Sequence, residues 1–295
     1  MKKLAFVVAV IMIICALGAC ANDTDGTTTT TTTTTAQATT TTVATTTSEV
    51  TTEESTTTTT SGVGNGEGYS DMTTRSQFST VTSPDLHEAV EPTVFDDAVI
   101  IGDSVTLKLN YYITNQKDKG VYPLGQAKFL CSGSLGYSNA LWSLNQSGNV
   151  HPRYNGVKYR IPDGVKETGA KKVFIMLGMN DFMLYGVDGT IKNAETLIGE
   201  IIQKSPDVKI YVQSVTPIVA VCEGGSKTNA NVRILNTRLR EMCDNHGWTY
   251  LDVASVMIDG SGALKPSYCS DASSMGIHFT DAACEAWIDY LKKNV

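Results

Sequence analysis

Residues 98–105 read AVIIGDSV, an apolar run that ends in Gly-Asp-Ser. The run has the composition of a buried strand, and residues 106–116 continue with a helical pattern. A strand that passes directly into a helix places Ser104 at the helix N-terminus, where its hydroxyl lies beside partly positive backbone amides. A GDS tripeptide on its own is a common turn, so its meaning depends on the rest of the chain.

The same apolar strand pattern recurs along the following sequence. The further strand candidates are residues 128–131, 173–177, 209–213 and 249–253. Runs this apolar are typical of parallel strands that are covered on both faces. Helical spacing of apolar residues marks 191–202 and 232–242, and a last helix is expected after Thr280 as its N-cap. Residues 91–295 are therefore predicted to form a flavodoxin-like three-layer α/β/α sandwich with a central five-stranded parallel sheet.

The N-terminus has the layout of an export signal. Residues 1–19 contain Lys2 and Lys3, an apolar run too short to span a membrane comfortably, and small residues before Cys20. The ending Leu-Gly-Ala-Cys resembles the bacterial lipobox, which predicts removal of 1–19 and lipidation of Cys20. The protein is then exported and tethered to the outer face of the membrane through that lipid anchor alone. Ordinary cleavage near Ala19 or Ala21, without lipidation, is the alternative.

A low-complexity spacer separates the signal from the domain. Residues 20–68 begin at the lipidated Cys and are dominated by Thr, with almost no apolar side chain to bury, which predicts a disordered linker. The Gly-rich stretch at 62–68 is its hinge end, since no strand precedes it as a phosphate-binding loop requires. Residues 69–90 are an extension that either packs on the domain or continues the linker.

Charge and cysteine content argue against some classes of partner and ligand. The net charge of −7 becomes −9 when the two lysines of the signal are removed, and no basic block is present, which argues against a nucleic-acid partner. Cys15 leaves with the signal and Cys20 is the lipid site, so five cysteines remain and at least one is unpaired. Their spacing matches no metal-binding pattern, and we expect neither a metal nor a cofactor.

Two later motifs bring polar side chains to the same rim of the sheet. GMND at 178–181 follows the third strand, so Asn180 shares the carboxyl edge with Ser104, and its amide can donate to a developing oxyanion. GIHFT at 276–280 places His278 in a loop before the last helix. A loop Asn bonded to local backbone and a surface His are the plain alternatives. The other histidines have weaker contexts: His87, His151 and His246.

Taken together, Ser104, Asn180 and His278 in these three contexts resemble the GDSL/SGNH hydrolase family over 99–295. The resemblance implies a serine nucleophile at Ser104 and a general base at His278. It also implies an oxyanion hole made of the Ser104 backbone amide, a glycine amide and the Asn180 side chain. These roles agree with what acyl transfer requires, namely an activated hydroxyl, a base and preformed donors.

The glycine of that oxyanion hole is expected in CSGSLGYSN at 131–139, after the second strand. Gly133 and Gly136 both fit the spacing. Gly136 is favoured because Gly-Tyr-Ser resembles the family's Gly followed two residues later by a small hydroxyl.

One position departs from the family pattern. The family usually has Asp three residues before its His, and this chain has Met275 there. The nearest upstream carboxylate is Asp271, so a loop four residues longer has to fold it back onto His278. Asp271 is the favoured third member of the triad. A backbone carbonyl orienting His278, or a Ser-His dyad of reduced activity, are the alternatives.

The sequence therefore predicts a serine esterase, acting without a cofactor on a small ester or an acetylated glycan. O-acetyl groups on polysaccharide are the favoured substrate, because a tethered enzyme on a long spacer faces glycans outside the cell. Lysophospholipase or thioesterase activity stays open. Acetyl transfer to a glycan also stays open. A weakly active or non-catalytic glycan-binding role is a further alternative, and Met275 favours it.

Overall fold

The computed structural model describes residues 88–295. The predicted signal, the lipidation site Cys20, the Thr-rich linker, His87 and most of the 69–90 extension lie outside the described residues. The strands are β1 (Ala98–Gly102), β2 (Lys128–Cys131), β3 (Arg153–Tyr154), β4 (Val157–Lys158), β5 (Lys172–Met176), β6 (Lys209–Gln213) and β7 (Thr249–Leu251). The helices are α1 (Ser104–Lys117), α2 (Tyr137–Ala140), α3 (Ile161–Thr168), α4 (Met179–Lys204), α5 (Asn229–His246), α6 (Ala254–Met257) and α7 (Asp281–Asn294). Short 3₁₀ turns cover Pro92–Phe95, Ala220–Cys222 and Pro266–Tyr268.

The five predicted strands form one parallel sheet in the order β2-β1-β5-β6-β7. β1 lies inside this sheet and is buried along its whole length, as its apolar run predicts. Its side chains alternate between two cores: Val99 and Ile101 face one, and Ala98 and Ile100 face the other. The fold prediction of a five-stranded parallel sheet flanked by helices is confirmed.

Different helices cover the two faces of the sheet. The core that contains Val99 also receives apolar side chains of α3, α4 and α5. The core that contains Ile100 receives those of α1 and α7, including the fully buried Trp287. Among residues 88–295, no helix is both long and apolar enough to span a membrane.

Element boundaries and the shortest elements differ from the sequence predictions. α1 begins at Ser104 rather than at 106, and the strand predicted over 249–253 ends at Leu251 because the Val253 amide turns back to the Leu251 carbonyl. α2, α3 and the β3–β4 hairpin were not predicted, since elements of two to eight residues carry little periodicity. Thr280 precedes α7, but its hydroxyl donates to the Ser267 carbonyl instead of capping the helix.

Candidate active site

Ser104 is the first residue of α1, directly beyond the carboxyl end of β1. Asp103 caps this helix, because its carboxylate accepts a hydrogen bond of 2.9 Å from the Val105 amide. The sharp passage from strand to helix leaves the Ser104 side chain at the rim of the sheet. There its Oγ lies 2.9 Å from Nε2 of His278.

The loop before α7 brings His278 to Ser104 and Asp271 to His278. Nδ1 of His278 lies 2.6 Å from Oδ2 of Asp271. The other oxygen of Asp271 accepts from the Ile277 and His278 amides at 3.0 and 3.1 Å and from the Cys269 thiol at 3.2 Å. Ser104, His278 and Asp271 thus form one continuous chain of hydrogen bonds.

The longer loop closes on itself and thereby compensates for Met275. The Ser270 amide donates to the His278 carbonyl, and the Ser274 and Gly276 amides both donate to the Asp271 carbonyl. Gly276 has a φ of +69°, a conformation that glycine adopts without strain. Met275 is left half exposed at the tip. The structure therefore places Asp271, and not position 275, against His278.

Asp271 is held in its charged form. Burial opposes ionisation, but the hydrogen bonds from His278 and Cys269 outweigh it and hold the pKa of Asp271 at about 2. A carboxylate only accepts hydrogen bonds, so Nδ1 of His278 carries the hydrogen of the 2.6 Å contact. In the neutral imidazole Nε2 is then the acceptor for the hydrogen of the Ser104 hydroxyl. This is the tautomer that a general base needs.

Two of the three expected oxyanion donors, the Asn180 side chain and the Gly136 amide, have internal acceptors. The Asn180 side-chain nitrogen donates to the Leu135 carbonyl at 3.0 Å and contacts Oδ2 of Asp103 at 3.3 Å. The Gly136 amide donates to Oδ1 of Asn139 at 2.9 Å. The Ser104 amide has no acceptor among residues 88–295. Gly136 therefore adjoins Asn180 through the Leu135–Gly136 peptide.

Three polar residues of the site were missed at the sequence level. The first is Asn139, whose Oδ1 accepts the hydrogen bond from the Gly136 amide. The second is Asp181, which is fully buried and accepts hydrogen bonds from the Tyr137 and Ser138 amides at 2.8 and 2.9 Å. Asp181 lies so close that a Cβ at Gly136 would be 2.5 Å from its carboxylate, which explains the glycine there. Asp103 is the third; burial raises its pKa to about 6 despite the bond from Val105. The motifs GDS and GMND contained the two aspartates, but only the tertiary contacts show what they do.

The remaining candidates lie in other environments. His151 is buried and bonded to the Trp142 carbonyl, and His246 contacts Glu195. Gly133 has open space around it. All five cysteines of the described part of the chain are free. Within 88–295, no group of three His, Cys, Asp or Glu side chains is arranged to hold a metal ion.

Several solved structures are similar to this chain over about two thirds of its length. A GDSL-like lipase from Bacteroides thetaiotaomicron is 17% identical, with a TM-score of 0.49 over 69% of this chain and 89% of its own. A carbohydrate acetylesterase from Sinorhizobium meliloti is 15% identical, with a TM-score of 0.46 over 66% and 96%. A lipase/acylhydrolase from Enterococcus faecalis is 15% identical, with a TM-score of 0.44 over 66% and 93%. No curated protein matches the sequence.

The family match begins within β1 and includes Ser104, the four other strands of the parallel sheet and the loop that carries Asp271 and His278. The model of the GDSL-like Lipase/Acylhydrolase family matches residues 100–286. The match spans more than half of the 295 residues. The chain belongs to the GDSL-like lipase/acylhydrolase family.

Proposed function

We propose that this protein is a serine esterase in which Ser104 is the nucleophile, His278 the general base and Asp271 the residue that orients His278. The observation that carries the proposal is the hydrogen-bond chain of 2.9 Å from Ser104 to His278 and 2.6 Å from His278 to Asp271. Both distances are within the reach required for proton transfer and for holding the imidazole.

The proposed reaction follows from these contacts. Oγ of Ser104 attacks the ester carbonyl carbon while its proton passes to Nε2 of His278, and the Asp271 carboxylate stabilises the imidazolium that forms. His278 then gives the proton to the departing alcohol oxygen, which leaves an acyl-Ser104. Water attacks this acyl group with His278 again as base, and the free acid and Ser104 are released.

The developing oxyanion is stabilised by the Ser104 amide, the Asn180 side chain and the Gly136 amide. The Ser104 amide stands at the N-terminus of α1, where helix geometry leaves it without an internal partner. Asn180 lies at the N-terminus of α4, within 3.3 Å of Asp103 and therefore next to Ser104 in space. Donors of this kind contribute strongly to acyl-transfer rates.

O-acetyl groups on polysaccharide are the proposed substrate. Support comes from the location that the sequence predicts, an exported domain on a long Thr-rich spacer, which faces extracellular glycans. The test is incubation of the purified protein with acetylated xylan and a Ser104→Ala control. Serine-dependent release of free acetate supports hydrolysis. Transfer of acetyl to an added glycan acceptor indicates a transferase, and binding without either product indicates a glycan-binding role.

A lysophospholipase or thioesterase is the second candidate. The observation that favours it is a run of exposed apolar side chains just after Asn180: Met183, Leu184 and Tyr185 are 40%, 75% and 47% exposed. Apolar groups so near a candidate oxyanion donor suit an ester with a hydrocarbon chain better than a sugar acetate. A higher kcat/KM for lysophosphatidylcholine or a long-chain acyl thioester than for acetyl esters would select this function.

Attachment to the membrane through Cys20 is proposed on the lipobox resemblance. Radiolabelled palmitate supplied to the producing cells should enter the wild-type protein, and Cys20→Ala should abolish labelling and release the protein from the membrane fraction. Equal labelling of Cys20→Ala would show that Cys20 is not the lipid site.

A further inference from the structure

The peptide that joins Leu135 to Gly136 has its carbonyl on Asn180 and its N–H on Asn139. The carbonyl oxygen accepts from the Asn180 side chain at 3.0 Å, and the amide donates to Oδ1 of Asn139 at 2.9 Å. In a trans peptide the C=O and N–H bonds point in opposite directions. The Gly136 N–H therefore points away from Asn180.

While the peptide keeps this orientation, the Asn180 and Gly136 donors cannot share one oxyanion. An oxygen at hydrogen-bond distance from the Gly136 amide lies on the far side of the peptide from the Asn180 nitrogen. Of the three expected oxyanion donors, the Ser104 amide alone has no acceptor among the described residues. Asn180 carries two hydrogens and can keep one partner, but Gly136 has a single N–H, which Asn139 occupies.

We propose that the Leu135–Gly136 peptide is a two-position switch and that Asn139 is the positioning residue that holds it in the resting position. The inference rests on the proposed esterase function. When the tetrahedral intermediate forms at Ser104, the peptide turns over, the Gly136 N–H faces the oxyanion and the Leu135 carbonyl leaves Asn180.

The residues at this turn suit such a rotation. A half-turn of the peptide carries φ of Gly136 from −141° into the positive range, which glycine adopts without strain. Ser134, two residues earlier, already has a left-handed φ of 60°, and its carbonyl accepts a hydrogen bond from the Asn139 side chain at 2.8 Å. Asp181 anchors the start of α2 through the Tyr137 and Ser138 amides and thus stops the movement from spreading beyond Gly136.

The first test measures how fast Ser104 reacts with a 4-nitrophenyl alkylphosphonate, followed by nitrophenolate release and intact mass. In this reaction Oγ forms a bond to phosphorus, the P–O bond to nitrophenolate breaks with its electron pair, and His278 receives the Oγ proton. The phosphonyl oxygen takes the place of the oxyanion. The readout needs no knowledge of the natural ester.

Two substitutions of Asn139 should act in opposite directions. Asn139→Ala removes the resting acceptor of the Gly136 amide, so the reaction rate should rise by roughly 2- to 10-fold, the value of one net hydrogen bond. Asn139→Asp keeps the acceptor and makes it charged, which strengthens the resting hydrogen bond from the Gly136 amide, so the rate should fall. Asn149→Ala is the matched control, because Asn149 also pins a loop through two backbone carbonyls, and it should react at the wild-type rate.

A purely structural role for Asn139 would slow both variants, and that result overturns the proposal. Should Asn139→Ala fail to fold in a thermal melt, the crystal structure of the phosphonylated wild-type protein decides. The switch requires the Gly136 nitrogen within hydrogen-bond distance of the phosphonyl oxygen; a Leu135 carbonyl still on Asn180 contradicts it. If Ser104 is inert in every variant, the esterase function fails and the switch with it, whereas a reactive Ser104 with an unturned peptide removes the switch alone.

Discussion

At the scale of single residues, the most informative substitution is Asp271→Asn. The Asn side chain keeps the shape but presents a donor, so the imidazole of His278 loses its ionised partner and its correct tautomer. Turnover should fall about 10³- to 10⁴-fold, the size of the effect when a triad Asp is replaced this way. Steady-state kinetics on a short-chain acetyl ester measure it.

Met275→Ala is the control for that experiment. Met275 occupies the position where the family usually has its Asp, but its side chain is half exposed, and Nδ1 of His278 is bonded to Asp271 instead. Its kcat should stay within about twofold of wild type. Wild-type turnover by Asp271→Asn would remove Asp271 from the mechanism and leave a Ser-His dyad.

Asp103 should make the stability of the protein depend on pH. Burial raises the pKa of Asp103 in the folded protein from 3.8 to about 6. The folded state therefore holds an additional proton between these values, so stability is full below about pH 4 and falls as pH rises through about 6. The loss is on the order of 3 kcal/mol, given the size of the shift.

Asp103→Asn tests this dependence because it keeps an oxygen for the Val105 amide and cannot ionise. Urea unfolding at several pH values should show a flatter profile between pH 4 and 6 in the variant than in the wild type. Parallel profiles would mean that Asp103 does not titrate in this range. Because Asp103 also contacts Asn180, the variant is expected to lose activity as well.

The sequence could identify side chains that stand in recognisable local contexts but not those defined by tertiary contacts. Ser104, Asn180 and His278 each follow or precede a predicted element, so their meeting at one rim followed from the parallel sheet. Asp271 was selected as the nearest upstream carboxylate, and the loop that closes around it could not be derived from the sequence. Asn139 was missed because its partner is the backbone of Gly136, which no sequence pattern marks.

At the scale of secondary structure elements, Asp181 links two of them. It belongs to α4, and its buried carboxylate accepts from the first two amides of α2. Asp181→Ala leaves the buried Tyr137 amide and the part-buried Ser138 amide without their acceptor, which should lower the free energy of unfolding by about 2–4 kcal/mol. Urea denaturation measures the change.

Asp181→Asn is the matched variant, because its single oxygen can satisfy one of the two amides. Its loss of stability should lie between those of wild type and Asp181→Ala. A fall in kcat is also expected for Asp181→Ala, since α2 and the Gly136 turn lose their anchor. An unchanged denaturation midpoint in Asp181→Ala would show that the contact contributes nothing to stability.

Elements with a clear period were predictable, and short ones were not. The five strands of the parallel sheet are short apolar runs, and β1 and β5 are buried along almost their whole length, so composition alone could identify them. α2 has four residues and β3 and β4 two each, too few for a period to show. Apolar spacing predicted only the second part of α4, over 191–202. The first part was missed because Gly186, with a φ of 67°, interrupts the helix between the two parts.

At the scale of the whole molecule, the topology of the sheet explains why residues so distant in sequence meet. Because all five strands are parallel, β1 and β5 deliver Ser104 and Asn180 to the same edge. The chain then returns through α7, which packs beside α1 in the second core, and its preceding loop brings His278 to within 2.9 Å of Ser104 across 174 residues of sequence. The site is thus a product of the fold rather than of any one segment.

The most direct test of the central claim is the kcat/KM of the purified protein on 4-nitrophenyl acetate, measured side by side with Ser104→Ala. The wild type should hydrolyse the ester well above the uncatalysed rate, and the variant should show no hydrolysis above background. Equal activity of the two proteins would contradict the assignment of Ser104 as nucleophile.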